Sequence, residues 1–320
     1  MVPVCRIAFI WLTLAGLLAG PRETAATDLH RLRGALQTVR FVAYTPRDFR
    51  PWQGATVSPK QIAADLDLIQ RSFDGLITYG TQKGLAAVPE QAAARGFRAV
   101  ILGVWDPRET EEIEMAISLC RRFPTLIVGL ALGNEGVVAQ RYRWSDVAEA
   151  LDRVRRELPH LPLTTSEPFG ILLGAPPSLQ ERLDFLLPNI HPLSEPWFVA
   201  APESAAPQMV VDVANRLRQF GKPVLIKETG LPSGPASAGL TPQRQIRFWR
   251  RIFSVLKPGP DFAVAAFEAF DAAWKPAEMA QHFDTVMAGE AQWGFFTADG
   301  RPKPVLDAWL EAVETAAKDR

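Results

Sequence analysis

The sequence predicts an α/β chain folded as a (β/α)8 TIM barrel, and three observations predict it. Short β-branched or apolar runs alternate with longer stretches of helical spacing throughout residues 27–320. Eight such runs occur. The stretch is also slightly longer than the roughly 250 residues that a closed eightfold barrel typically takes. An open doubly wound sheet is the alternative, but that fold is expected to carry a glycine-rich phosphate loop after an early strand, and none is present. No linker, low-complexity tract or domain boundary interrupts residues 27–320, which read as a single domain.

The strands are expected at Val39–Pro46, Gly75–Gly80, Phe97–Trp105, Leu126–Glu135, Leu161–Pro168, Phe185–Pro192, Pro223–Gly230 and Ala263–Asp271. Between them, apolar residues recur every three or four positions. The sets are Ile62, Leu66, Ile69, Phe73; Val147, Leu151, Val154, Leu158; and Ile246, Trp249, Phe253, Leu256. Each set is the stripe that a helix buries against a sheet. Ser58-Pro59 and Thr241-Pro242 put a capping hydroxyl before a proline at the first helical position. A last helix is expected from about Lys303 to Val313.

Residues 1–26 read as a secretory signal peptide. Arg6 supplies the positive charge, Ile7 to Leu18 is apolar apart from Thr13 and Gly16, and the small residues Thr24, Ala25 and Ala26 follow. The apolar run is shorter than the ~20 residues of a membrane span. The expectation is a cleaved leader and a periplasmic or extracellular protein, with an uncleaved membrane anchor as the alternative. Cys5 and Cys120 are the two cysteines, so removal of the leader leaves Cys120 without a disulfide partner. Cys120 falls beside Ile113, Ala116 and Ile117 on one helical face, which reads as a buried, inert thiol.

Lys plus Arg and Asp plus Glu both number 35, and this neutral balance gives no electrostatic footprint for nucleic acid or an anionic membrane. It suits a neutral polymer such as a sugar chain. Paired-cysteine and HExxH motifs are absent and the four histidines are scattered, so no metal and no cofactor are expected. The chain is expected to be a monomer.

In a barrel of this kind, active sites form where the strands end and the next loops begin. Polar residues gather at those ends: Tyr44, Tyr79, Trp105-Asp106, Asn134-Glu135, Ser166-Glu167, Asn189 with His191, Lys227-Glu228, and Glu268, Asp271, Trp274 and Lys275. Glu135 and Glu228 form the sharpest pair. They stand 93 residues apart, about three strand-helix repeats, so both fall on one rim. Cleaving a glycosidic bond takes two such carboxyl groups, one protonated to release the leaving oxygen and one ionised to attack or to activate water. Two nearby carboxylates push their pKa values apart and so divide the labour. A pair of strand-end salt bridges is the bland alternative.

The segments Gly133-Asn134-Glu135, Asn189-Ile190-His191-Pro192, Lys227-Glu228-Thr229-Gly230-Leu231-Pro232-Ser233, Phe267-Glu268-Ala269-Phe270-Asp271 with Trp274-Lys275, and Trp293-Gly294-Phe295-Phe296 occur in this order. With them the chain resembles glycoside hydrolase family 17, the β-1,3-glucanases and glucanosyltransferases. The resemblance spans nearly all of Val39 to Val313. It implies a retaining mechanism with Glu135 as acid/base, Glu228 as nucleophile, and Asn134 on the sugar 2-hydroxyl. Where the family commonly carries a glutamate just after Phe270-Asp271, this chain has Ala272-Ala273, and Glu268 or Glu167 are the candidates to replace that acid.

Tyr44, Tyr79 and Trp274 are expected to bind sugar, because strand ends face the cleft, and Trp105, Trp197 and Trp293 are further aromatic candidates. Asn189, Asp271 and Lys275 are expected beside them. Trp249 and Trp309 lie on helical stripes and read as core. His191 either orients a carboxylate or is a structural, hydrogen-bonded histidine. Lys227 is expected to turn its side chain away from Glu228, behind the sheet, because strand neighbours point to opposite faces. Three functions remain open: hydrolysis of β-1,3-glucan, glucanosyl transfer by the same chemistry, and a carbohydrate-binding barrel that no longer catalyses.

Overall fold

The structure is a computed structural model that describes residues 28–50, 53–201, 203–281, 286 and 288–318. The signal-peptide reading and Cys5 lie outside the described residues. Seven strands form regular ladders: β1 (Phe41–Ala43), β2 (Gly75–Ile77), β3 (Ala99–Val104), β4 (Ile127–Asn134), β5 (Leu163–Ser166), β6 (Val224–Ile226) and β7 (Phe262–Val264). The first five make one parallel sheet in sequence order, and β6 pairs with β7 in a second.

The regular ladders therefore do not make one eight-stranded cylinder. The expected sixth strand, Phe185–Pro192, joins only through isolated parallel bridges, Leu186 with Val224, Asn189 with Glu228, and Pro168 with Asn189. Pro188 explains the interruption. Its carbonyl accepts from the Lys227 amide at 3.0 Å, but it has no N–H to return. On the far side, the chain beyond β7 meets β1, with Ala266 N donating to Phe41 O and Ala43 N to Ala266 O, both at 2.9 Å.

The helices are α1 (His30–Thr38), α2 (Pro59–Ile69), α3 (Val88–Ala94), α4 (Thr110–Arg122), α5 (Trp144–Glu157), α6 (Phe169–Leu173), α7 (Pro177–Gln180), α8 (Ala205–Arg218), α9 (Pro242–Val255), α10 (Lys275–Met279) and α11 (Pro304–Lys318). Both anticipated caps are present. Ser58 and Gln61 close a reciprocal capping box, and the Thr241 hydroxyl accepts from the Arg244 amide. The predicted stripes face inward, with Ile62, Leu66 and Ile69 on α2 and Val147, Leu151 and Val154 on α5 buried. Trp249 and Trp309 are core residues that meet around Phe295. Cys120 is buried, and burial pushes its thiol up to about 12, so little thiolate forms at neutral pH.

Strand side chains alternate between two apolar clusters, as a period of two demands. Val100, Leu102, Val224, Ile226, Phe262 and Val264 join the large cluster that includes the helix stripes. Ile77, Ile101, Val128, Phe185, Leu225 and Ala265 join a second, smaller cluster, together with Leu32, Ala35 and Leu36 of α1. The helix α1, which the sequence reading did not foresee, thus seats its apolar face on the inner side of the strands. Its polar side grips the loops that enter strands: Arg33 Nε donates to Asp261 at 2.8 Å, Arg31 donates to the Pro124 and Thr125 carbonyls, and Asp28 N donates to His160 O at 3.1 Å. The helix lies across the end where strands begin. The opposite end, where strands finish, is left for the cleft.

Candidate active site

At the end of β4 the chain turns sharply. Gly133 has φ 94° and Glu135 φ 49°, a left-handed conformation that costs a side-chain-bearing residue on the order of 1–2 kcal/mol. The turn is held from three sides. Glu135 N donates to Ser166 O at 2.8 Å, and the Glu167 carboxylate accepts from Val137 N at 2.8 Å and Val138 N at 3.3 Å. A Cβ on Gly133 would come within 2.4 Å of the Tyr142 hydroxyl, so only glycine fits there. The result aims the Glu135 side chain over the strand ends, where Asn189 Nδ2 donates to its Oε1 at 2.7 Å.

Glu228 reaches the same place from the chain beyond β6. One oxygen accepts from the Tyr79 hydroxyl at 3.0 Å and meets Lys227 Nζ at 3.1 Å, and the other lies 3.2 Å from His191 Nε2. One atom each from Glu135, His191 and Glu228 lie within 4.8 Å of one another. Burial alone would push the Glu228 carboxyl up. The Lys227 charge, the hydrogen bond and charge of His191, and Lys275 outweigh it and hold Glu228 well below the usual carboxylate range. Glu228 is therefore ionised at any ordinary pH. Burial pulls His191 down, but its bond to Glu228 and the charges of Glu228 and Glu135 leave it raised. Its Nδ1 has no hydrogen-bond partner among the described residues, and the ring packs against Phe267 and Trp293 at 5.3 Å each.

Lys227 corrects its expectation. It shares the parity of Leu225, which faces inward, so its side chain runs beneath the cleft rather than behind the sheet. There it is 2% exposed, donates to Asn134 Oδ1 and Ser166 Oγ, and lies 4.0 Å from the Tyr79 ring centre.

A cleft of about 370 Å3 opens above these groups. Of the expected binding residues, Tyr79, Asn134, Glu268, Asp271, Trp274 and Lys275 line it, together with Trp105. Arg50 lies over the Trp274 ring and Arg141 over Trp105, at 5.2 and 4.4 Å. Six others do not line it. Tyr44 is buried with its hydroxyl donating to Asp65 at 3.1 Å, on the helix side of its strand. Glu167 is fully buried beneath the loop after β4, where its two amide partners use both oxygens. Asn189 and His191 lie one layer down and hold the two carboxylates instead. Trp197 is exposed outside the cleft, and Trp293 is buried.

The sequence reading missed several charged groups here. Lys275 Nζ lies 3.7 Å from Glu268 and 3.5 Å from Glu290, so Glu290 supplies a second acid beside Lys275 that Glu167 does not. Burial pushes Glu268 up to about 7; Lys275 opposes this, while Glu228, Glu290 and Asp271 add to it. Asp271 accepts from Lys303 Nζ at 2.8 Å and Gly294 N at 2.9 Å. Glu112 accepts from Thr81 N at 2.9 Å, Trp105 N at 3.1 Å and Asp106 N at 3.2 Å, tying two rim loops together. Glu290, Lys303 and Glu112 lie outside the strand-end segments in which the sequence concentrates its polar residues.

Comparison with known proteins agrees with this geometry. Residues 42–294 match the family model of the BtgE/BtgC glycoside hydrolase domain. The chain is similar to a glucan 1,3-beta-glucosidase of Arthroderma benhamiae, 24% identical over 262 residues that cover 73% of this chain and 82% of the relative. Among solved structures it is similar to an endo-laminarinase from Formosa, with TM-score 0.67, 20% identity, and coverage of 91% and 90% of the two chains. It is also similar to a Rhizomucor miehei beta-1,3-glucanosyltransferase in complex with laminaritriose, with TM-score 0.64, 17% identity, and coverage of 83% and 96%. The carboxylate-lined cleft, the order of the strand-end motifs and the family match over most of the chain lead to one conclusion: the chain belongs to the BtgE/BtgC glycoside hydrolase domain family, and it is a glycosidase.

Proposed function

We propose that this enzyme cleaves β-1,3-glucan with retention of configuration, on a (β/α)8 barrel completed by the bridged segment around residues 186–189. The observation that carries the reading is the proximity of Glu135 and Glu228, whose nearest oxygens lie within 4.8 Å. Retaining enzymes place their carboxyl groups about 5–5.5 Å apart, and inverting enzymes need about 6.5–9.5 Å to admit a water between them. The names of the relatives, a glucan 1,3-beta-glucosidase and an endo-laminarinase, support the substrate class.

In the first step Glu135, protonated, donates to the glycosidic oxygen while Glu228 attacks the anomeric carbon. In the second, Glu135 takes a proton from water, water attacks that carbon, and the electron pair of the breaking bond returns to Glu228. Tyr79, Lys227 and His191 keep Glu228 ionised and aimed. Tyr79, Trp105 and Trp274 offer ring faces for sugar C–H groups. The apolar run from Ile7 to Leu18 supports export of the chain.

Glucanosyl transfer is the second reading, supported by the fold shared with the Rhizomucor miehei glucanosyltransferase. One experiment separates the possibilities. The enzyme is incubated with a short linear β-1,3-glucan and its products are followed by NMR from the first minutes. Initial β-anomers support retention, and initial α-anomers overturn it. Products longer than the substrate identify transfer.

A further inference from the structure

Beneath the cleft, a chain of hydrogen bonds connects the two carboxylates. It begins at Glu228, whose Oε1 lies 3.1 Å from Lys227 Nζ. Lys227 Nζ donates to Ser166 Oγ at 3.4 Å, and the Ser166 hydroxyl donates to Asn189 Oδ1 at 3.3 Å. Asn189 Nδ2 then donates to Glu135 Oε1 at 2.7 Å. Lys227, Ser166 and Asn189 are each 1–2% exposed, so water does not compete for these bonds.

The direction of every bond is fixed by chemistry. An ammonium only donates, so Ser166 must accept from Lys227 and send its own proton onward. A carboxylate only accepts, so Asn189 must present its N–H2 to Glu135 and its oxygen to Ser166. Lys227 donates to Glu228 on one side; from Lys227 to Glu135 the remaining bonds all run one way, and bonds aligned in this manner in a dry interior polarise one another.

We infer that Ser166 and Asn189 are positioning residues that report the charge of Glu228 to Glu135, so that the acid/base changes role between the two steps. This rests on the two-carboxylate reading above. While Glu228 is ionised, the Lys227 charge is largely neutralised beside it, and little of its field reaches Glu135. When Glu228 becomes the glycosyl ester its charge is lost. Burial lowers the pKa of Lys227, and Glu228 no longer offsets this, so the charges of Glu135 and Glu167 are what keep it an ammonium; it retains Asn134 and Ser166 as acceptors, and its field passes through Ser166 and Asn189 to Glu135. The ionised form of Glu135 is then favoured, which is the form that must take the proton from water. Asn189 also occupies Oε1, leaving Oε2 to carry the proton that goes to the leaving oxygen in the first step. No proton moves along the chain itself, and the direct repulsion between the two carboxylates acts alongside it.

The test measures the two steps separately. A deoxyfluoro-glucosyl fluoride labels the nucleophile and forms the glycosyl-enzyme, because fluoride leaves without a proton from Glu135. The labelled enzyme is freed of reagent, and recovery of activity in water reports the second step. Ser166→Ala is expected to label at the wild-type rate but to recover about tenfold more slowly, the effect of losing one hydrogen bond that serves a charged group. Ser166→Thr, which keeps the hydroxyl, is expected to restore recovery. The double variant Ser166→Ala/Asn189→Ala should recover no more slowly than Asn189→Ala alone, as members of one chain do. Equal recovery rates in wild type and Ser166→Ala overturn the inference. Labelling and recovery that slow together also overturn it, since that marks general damage to the site. If wild-type protein forms no adduct on Glu228 by peptide mass, the retaining reading fails and this inference with it.

Discussion

Glu135 and Glu228 bring oxygens within 4.8 Å of each other, yet their surroundings differ in kind. Glu228 is ringed by Lys227, Tyr79 and His191, whereas Glu135 receives a single side-chain donor, Asn189. Glu228→Gln is expected to lower turnover of β-1,3-glucan about 10^4-fold or more, and Glu135→Gln by about 10^2 to 10^4, with circular dichroism unchanged in both. Wild-type rates in either variant would reject the assignment. Glu268 gives a pH effect with a definite sign. Its carboxyl is raised to about 7 when folded, so between the ordinary carboxylate range and pH 7 the native state binds the extra proton. Stability is full at the acid side of that window and falls as pH rises through 7. Glu268→Gln should flatten this slope in melting temperatures taken from pH 5 to 8, leaving the decline that His191 contributes as it loses its proton above its ordinary value. An unchanged slope would show that Glu268 ionises normally. At this scale the sequence revealed which residues stand at strand ends, and so found Glu135, Glu228, Tyr79 and Lys275. It did not reveal which way each side chain turns. Tyr44 and Glu167 stand at strand ends yet point away from the cleft, and Ser166 and Glu290 gain their roles from partners far away in the chain.

The elements obey local rules where those rules are strong. Helical spacing located α2, α5 and α9, and hydroxyl-proline pairs located two of their starts. Ser58→Ala breaks a reciprocal capping box and should cost about 1 kcal/mol in denaturant unfolding, with activity retained. The rim loops after β2 and β3 behave as one unit because Glu112 at the start of α4 holds both. Gly80→Ala puts a methyl group 2.8 Å from Glu112 Oε1 and 3.5 Å from the Trp105 Cβ. That variant should raise KM for glucan several-fold with a smaller change in kcat, because the displaced group presents the Trp105 ring; an unchanged KM would leave Trp105 without a binding role. The expected sixth strand lies in its place between β5 and β6, but it pairs through isolated parallel bridges rather than a regular ladder. Leu186, Asn189 and Ile190 donate to the neighbouring segments, but Pro188 between them has no N–H, which interrupts the ladder.

At the scale of the molecule, α1 organises one end as the cleft organises the other. It was invisible in the pattern of strands and helices because it precedes the first strand and follows no repeat. Leu32 and Leu36 are almost wholly buried in a cluster with residues from six different strands and the segment at Phe185. Leu32→Ala should cost about 2–5 kcal/mol, as much as a substitution deep in any core, and should lower the denaturant midpoint without changing KM. A midpoint shift below about 1 kcal/mol would mean the helix merely rests on the surface.

The seat of α1 also sets an order of events for a growing polypeptide. Arg33 and its partner Asp261 are 228 positions apart, and the apolar face of the same helix waits for Leu225, Ala263 and Ala265. The helix α1 thus finds its berth only after the 228 positions up to Asp261 have been made. Contacts of such long span are slow to form, and the exposed greasy face of α1 is then a ready handle for holding the chain open until β7 has been made.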